Sequence, residues 1–310
     1  MIVLVTGGRG QLGRALVESP WPWEMRCRPV SHTALDITRP EKVTAALADE
    51  RVGLVINTAA YTAVDQAESA WGTAWAVNAD GPLHLALACR QRDIPLIHLS
   101  TDYVFNGRKT GFYREDDPAA PLGAYGASKL AGEEAVRRTM TKHIIVRTSW
   151  LFSARPPNFV HTMVQLARTR EDVRVVNDQY GCPTAAVALA CSIVGQMIPQ
   201  ILHPEFRNWG TYHFCGTPAC TWYDFAAAIF EEMAVRDQKV PRLHAIPTAA
   251  YPTLARRPAN SALNCGRLGH VFTVAPSPWR TYLPATLRQI HEMHDLEEAS
   301  RESRDHPRPR

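Results

Sequence analysis

"IVLVTGGRGQLGRALVE", residues 2–18, runs from four apolar residues through a glycine-rich turn into a segment with apolar residues at helical spacing. Gly7, Gly10 and Gly13 form G-x-x-G-x-x-G. Glycine permits the tight turn and lets backbone come close to a pyrophosphate, and the following helix offers free amides and the positive end of its dipole. As a lone pattern it need only connect strand to helix. Directly after a first strand and opening a first helix, it predicts a dinucleotide-binding loop in which Arg9, Gln11 and Leu12 fill the intervening positions.

The rest of the first half agrees. Apolar strand-like runs recur at 2–5, 53–57, 95–100 and 143–149, with helix-like segments near 11–19, 40–50, 71–92 and 126–140 between them. Short apolar strands alternating with helices predict a Rossmann-like, doubly wound parallel sheet of the α/β class, covered on both faces. Residues 1–150 are read as the cofactor domain. Beyond 150 prolines become frequent and the alternation loosens, so 151–296 is read as a smaller C-terminal lobe. "TWYDFAAAIFEEM" at 221–233 is expected to be a helix, and "VRVVN" at 173–177 a strand returning to the main sheet. From 297 the chain is charged and then proline-rich, which predicts a disordered tail to residue 310.

Cofactor preference is read at the end of the second strand, where NAD sites carry an acid that bonds the ribose 2′-hydroxyl. "MRCRPVSHTALDI" reaches Ser31 and His32 there without an acid. A 2′-phosphate is not repelled, and Arg9 can meet it with a charge-assisted bond. NADPH is therefore favoured, with NADH the alternative. Asp36 and Ile37 are candidates for the adenine, the competing reading being a turn that leads into a helix. Ala59, Ala60 and Tyr61 follow the third strand, where small side chains let a cofactor pass close to the backbone.

Composition narrows the function classes. The 310 residues are 45% apolar and 21% charged, with a formal charge of +4, which argues against a nucleic-acid partner. The longest apolar stretch, 185–198, is short for a bilayer span and suits a buried helix. Seven scattered cysteines without a C-x-x-C pair suit reduced thiols. With no cleavable leader ahead of "MIVLV", the expectation is a cytoplasmic protein without a membrane role.

"AYGASKLAGEEAV" places Tyr125 and Lys129 four apart, on one helix face. Such a pair is usually a packed tyrosine beside a solvated lysine. Together with "GGRGQLG", "LDIT", "VINTAAYTAVDQAE", "AVNADGP", "LSTDYVFNG", "RTSWLF", "NDQYGCPT", "GTYHFCGTPACTWYDFA" and "RRPANSALNC", however, the chain from residue 1 to about 290 resembles the extended short-chain dehydrogenase/reductase superfamily, and within it the dTDP-4-dehydrorhamnose reductase family.

The resemblance implies that Thr101, Tyr125 and Lys129 are catalytic, with Tyr125 and Lys129 also touching the cofactor. It implies that Thr101, Asp102, Tyr103, Tyr125, Trp150, Gln179 and Arg257 contact a nucleotide-sugar substrate held by the lobe. The implied reaction is reduction by NADPH of the C4 ketone of dTDP-6-deoxy-L-lyxo-4-hexulose to dTDP-L-rhamnose. A 4-ketoreductase for another dTDP-deoxysugar, an epimerase, and a non-catalytic subunit resembling the regulatory subunit of methionine adenosyltransferase stay open. Metal-binding dimers of the family place a glutamate just after the glycine loop; this chain has Arg14 and Ala15. No metal is expected, and monomer and homodimer are both open.

Overall fold

The apolar runs of the first half become strands because each is covered on both faces. A computed structural model describes residues 1–236 and 238–305, with 297–305 as backbone alone. Five strands alternate with helices: β1 (Ile2–Thr6), β2 (Arg26–Val30), β3 (Val52–Asn57), β4 (Leu96–Thr101) and β5 (His143–Thr148). With a sixth, Gly210–His213, they form a parallel sheet in the order Gly210–His213, β5, β4, β3, β1, β2. Along β1, Val3 and Val5 enter one core while Ile2 and Leu4 enter the other, the two-residue period of a strand buried on both sides.

Two helical layers cover the sheet. Leu12 and Leu16 of α1 (Gln11–Glu18) share one core with Leu189 and Ile193, from the stretch expected to be a buried helix. Val43 and Leu47 of α2 (Pro40–Leu47) share the other with Leu85 and Ala86 of the Gly81–Gln91 helix and Val136 of the Ala124–Thr139 helix. The Trp222–Ala234 helix of the lobe starts with a reciprocal cap between Thr221 and Asp224. No helix of the described residues is long and apolar enough to cross a membrane.

Two expectations are corrected. The strand Asp172–Val176 does not return to the main sheet; it pairs in parallel with Arg242–Ile246 as a separate two-stranded sheet. Its Val173 and Val175 are buried while Asp172 and Arg174 are exposed, a one-faced pattern unsuited to a sheet covered on both sides. The sixth place goes to Gly210–His213, where Tyr212 and His213 are both fully buried. The tail expected to be disordered from 297 is helical in its backbone to Asp305, continuing the helix that starts at Leu283. Its glutamate, alanine and arginine residues are good helix formers, and no glycine or proline interrupts them. Residues 306–310 of that expectation lie outside the described residues.

The Ala124–Thr139 helix is locked to β5 by a buried ion pair. Arg147 donates from Nε to Glu133 Oε1 at 2.8 Å and from Nη2 to Oε2 at 2.7 Å, and Arg137 donates to Oε2 at 2.8 Å. Glu133 is 0% exposed, and Arg147 holds its carboxyl below the usual range against the opposing effect of burial. Arg147→Met would leave a buried carboxylate with one half-exposed partner. The expected cost is about 3 kcal/mol, the lower end for a broken buried pair because Arg137 remains. Urea unfolding of the single variant and of Arg147→Met with Glu133→Leu measures it; the double variant should recover most of the loss.

Candidate functional site

The strand order reverses at β1, which lies between β2 and β3. The crevice at the carboxyl ends of these strands is where open α/β sheets take ligands. Gly7 leaves β1 at φ +66°, and a Cβ there would sit 2.6 Å from Ala59 N. A Cβ on Gly13 would strike Gly7 O. Gly10 caps α1 with no side chain, and no acid occupies its first turn. The amides of Gln11, Leu12 and Gly13 thus open a helix whose first turn has no partners of its own. Backbone, rather than side chains, lines this part of the crevice.

The side chains of this loop have other duties. Leu12 is 5% exposed and belongs to the core. Gln11 Oε1 accepts from Ser153 Oγ at 3.0 Å and Asn158 Nδ2 at 3.1 Å, pinning the 153–158 loop to the start of α1. Arg9 is exposed, and Gly8 N donates to Val30 O at 3.0 Å. That bond sets the glycine loop against the end of β2, where Ser31 and His32 follow. Ser31 shares a 2.8 Å hydrogen bond with Thr33, while His32 stands exposed 3.7 Å from Asp36.

At Asp36 the turn reading is realised. Its Oδ1 accepts from Thr38 N at 3.0 Å and Thr38 Oγ1 at 2.7 Å, and the Thr38 hydroxyl chiefly holds the carboxyl below its usual range. Ile37 is 3% exposed in the core, tight against Gly81. Ile37 is thus held in the core, while Asp36, its side chain 23% exposed, keeps its second carboxylate oxygen outside this turn. Ala59, Ala60 and Tyr61 are half-buried beyond β3, as the small-residue turn predicted.

Beneath the crevice a polar chain crosses three strands. Thr6 Oγ1 donates to Asn57 Oδ1 at 2.6 Å, and Asn57 Nδ2 meets His98 Nδ1 at 2.9 Å. Burial pushes the His98 imidazole well down, so it stays neutral and able to accept.

Thr101 ends β4 and faces the start of the Ala124–Thr139 helix. Tyr125, one residue into that helix, is half-buried, with its ring edge-on to Tyr103 at 5.8 Å. Burial pushes its phenol up to about 12, opposed by a hydrogen bond with Thr101 and assisted by Asp102. Lys129 is 2% exposed and donates to Leu99 O at 2.6 Å, and burial pushes its ammonium down to about 8. The spacing thus brings Thr101, Tyr125 and Lys129 together. Lys129 does not draw the Tyr125 phenol down, because its ammonium is turned to the β4 carbonyl and burial dominates.

Asn78 escaped the sequence reading. It sits in a π turn, Ala76–Asp80, between Trp71–Trp75 and the Gly81–Gln91 helix. Its amide brackets Tyr61, accepting from Tyr61 N at 2.9 Å and donating to Tyr61 O at 3.1 Å, and reaches Ser128 at 3.1 Å. Ser128 donates in turn to Tyr125 O. A Cβ on Gly132 would strike Asn78 O, so glycine is what lets the two helices approach. The signal was an asparagine within a helix-like run, in "AVNADGP"; π turns gather at such sites.

A narrow cleft opens over Tyr125, lined by Val64, Glu68, Tyr103, Leu122, Ala255 and Arg256 among others. Glu68 Oε1 accepts from Ala124 N at 2.8 Å, capping the helix that carries the tyrosine. Tyr103 lines this cleft, and Thr101 and Asp102, just before it in the chain, are buried. Arg257 does not extend into it: its guanidinium pairs with Asp65 at 2.8 and 3.2 Å, and Asp65 also accepts from Ala255 N at 3.0 Å. Trp150 stands at φ +45° and stacks on Trp222 at 3.5 Å, a packing position. Gln179 is 5% exposed and donates to Thr248. A larger cleft, about 700 Å³, lies away from these groups at the amino ends of β4 and β5, beside Pro95, Lys142 and Phe206.

Over residues 1–292 the chain matches the family model described as RmlD substrate binding domain. It is 42% identical over 286 residues to the dTDP-4-dehydrorhamnose reductase of Aggregatibacter actinomycetemcomitans, covering 91% of this chain and 96% of the relative. A solved dTDP-4-dehydrorhamnose reductase from Clostridium acetobutylicum shares the fold with a TM-score of 0.87 at 34% identity, over 94% of this chain and 100% of that one. Another, from Bacillus anthracis in complex with NADP, has a TM-score of 0.84 at 35% identity, over 93% of this chain and 99% of that one.

The Asp65 contacts tie the 255–257 segment down over the cleft. Asp65→Asn should free it. A hydrogen bond to a charged group is worth about 1.5–3 kcal/mol, so amide hydrogen exchange in a peptide spanning 252–258 should rise at least about tenfold while exchange in β1 and β4 stays unchanged.

Proposed function

This chain belongs to the dTDP-4-dehydrorhamnose reductase family, and on that premise we propose that it reduces the C4 ketone of dTDP-6-deoxy-L-lyxo-4-hexulose to dTDP-L-rhamnose, using NADPH. The observation that carries the reading is the convergence of Thr101, Tyr125 and Lys129 at the carboxyl end of β4, beside a glycine crevice shaped for a dinucleotide. A non-catalytic binding partner has no need of a half-buried phenol hydrogen-bonded to a threonine at the end of β4. Another dTDP-deoxysugar ketone would use the same groups and differ only in the shape of the cleft.

The crevice fits NADPH on its own terms. Gly7 and Gly13 let the loop pack where a Cβ would strike the backbones of Ala59 and Gly8, the start of α1 offers amides to a pyrophosphate, and Arg9 with Ser31 and His32 offers donors to a 2′-phosphate without an acid at the end of β2. NADH would lack only that last contact. When bound, the nicotinamide supplies the hydride that a ketone carbon receives.

The chain's part is the proton. As hydride reaches C4, negative charge develops on the C4 oxygen and must be met by a donor. The Tyr125 phenol, kept protonated by burial, gives its proton to that oxygen. Thr101 hydrogen-bonds in the same place and orients it. Lys129 lies one turn along the same helix with its ammonium on Leu99 O; turned towards the phenol, that cation would favour the phenolate left behind. Arg256 stands exposed at the mouth of the cleft, a cation for the diphosphate of a nucleotide sugar.

The test is NADPH absorbance with purified protein and the 4-keto sugar nucleotide. Tyr125→Phe should lower kcat by about 10²- to 10⁴-fold, the usual worth of a positioned acid, with NADPH binding retained. A Phe variant turning over near the wild-type rate would defeat the assignment. Arg9→Ala should reduce the preference for NADPH over NADH by about tenfold, the scale of one charge-assisted bond; unchanged preference would remove Arg9 from the 2′-phosphate.

A further inference from the structure

Asp102, directly after Thr101, is 3% exposed. Thr101 Oγ1 donates to its Oδ1 at 3.0 Å, and Tyr103 N donates into the same threonine oxygen at 3.2 Å. A hydroxyl has one hydrogen and two lone pairs. With its hydrogen on Asp102 and one lone pair taken by Tyr103 N–H, Thr101 can meet the Tyr125 phenol only by accepting from it with its last lone pair. A ketone oxygen also only accepts, so Thr101 cannot serve it while Asp102 is ionised.

Protonation of Asp102 reverses the hydroxyl. A carboxyl O–H on Oδ1 donates across the same 3.0 Å to Thr101 Oγ1, whose lone pairs are then both filled. The threonine hydrogen is released towards the side where Tyr125 stands. Burial favours this form, against the Ser261 and Thr101 hydroxyls and the amides of Asp102 and Tyr103, which favour the ion, and the buried Oδ2 has no close partner, a costly arrangement for an ionised oxygen. The groups facing Asp102 are Tyr103 on its own turn, Tyr125 on the Ala124–Thr139 helix, Cys182, and Ser261 of the lobe. None of these is a cation.

We infer that Asp102 is a positioning residue: its neutral carboxyl makes Thr101 a donor to the substrate's carbonyl oxygen, and its ionisation makes Thr101 an acceptor that cannot hold that oxygen. The inference rests on the proposed ketone reduction. Burial pushes the Asp102 carboxyl up to about 7, so the competent form prevails below neutrality and is lost as pH rises.

The pH dependence of kcat/KM, which reports groups of the free enzyme, tests it. In the wild type kcat/KM should fall about tenfold or more between pH 6 and 8, as expected for a required proton lost at neutrality. Asp102→Asn, whose amide N–H can still donate to Thr101, should lose most of this dependence, falling about twofold as Lys129 begins to titrate. Thr101→Val should be slower throughout and equally flat, because Asp102 acts only through Thr101; it serves if Asp102→Asn does not fold, with NADPH binding as the check on folding. Carbon-13 spectra of protein labelled at aspartate Cγ, wild type minus Asp102→Asn, should show a carboxyl titrating near 7.

A steep fall that survives in both variants, or a carboxyl titrating near its ordinary value of about 4, overturns the inference and leaves the reductase reading standing. A wild type that oxidises no NADPH at any pH defeats that reading itself, and the role of Asp102 with it.

Discussion

An ionised carboxylate with no solvent exposure fixes where the chemistry sits. Glu133 lies two turns beyond Tyr125 and one beyond Lys129, on the same helix face. Its two bonds to Arg147 set the rotation and height of the helix against β5. Arg147 lies in turn over the Phe105 ring at 5.1 Å, just after the Asp102–Val104 turn that leaves β4. The tyrosine, the lysine and the threonine turn are therefore referred to one anchor. Removing Glu133 would leave Arg147 buried and uncompensated, and removing Arg147 would leave Glu133 with Arg137 alone, whereas together they are satisfied by directional bonds.

The sheet imposes the second constraint. Strands covered on both faces can carry polar groups only when those are paired, and the Thr6, Asn57 and His98 chain shows how. Thr6 and Asn57 are the last residues of their strands, where the sheet meets the crevice, and His98 supports them from within β4. Asn57 also accepts from Ala59 N at 3.2 Å, so the chain shapes the turn that Gly7 approaches. Backbone proximity at the crevice and polarity beneath it have one cause: the loops after β1 and β3 must pass close together at the reversal of strand order.

The first half was legible because periodicity and glycine placement are local signals. Gly7, Gly10 and Gly13 announced the crevice, and the four-residue spacing of Tyr125 and Lys129 announced a shared face. The misreadings arose where partners are distant in sequence. "VRVVN" has the composition of a central strand, and only the exposure of Asp172 and Arg174 shows that it has one covered face. Arg257 and Asp65 are 192 residues apart, and no local pattern tells a guanidinium paired across the cleft from one that waits for a phosphate. Ile37 looked ready for a ring because its burial beside Gly81 depends on another element. Asn78 was hidden by its helix-like setting, although its amide joins the loop after β3 to the helix bearing Tyr125.

The direction of the chemistry follows from burial. A phenol raised to about 12 is a proton holder at neutrality and a poor base. It becomes a good donor when negative charge develops on an oxygen beside it, which is the demand of ketone reduction. The buried lysine one turn away has an ammonium weakened to about 8, and it is kept useful by Glu133, whose charge favours its protonated form. One fold-determining carboxylate thus serves twice: through Arg147 it places the helix, and it favours the protonated Lys129 that is bonded to the β4 carbonyl one turn from the phenol.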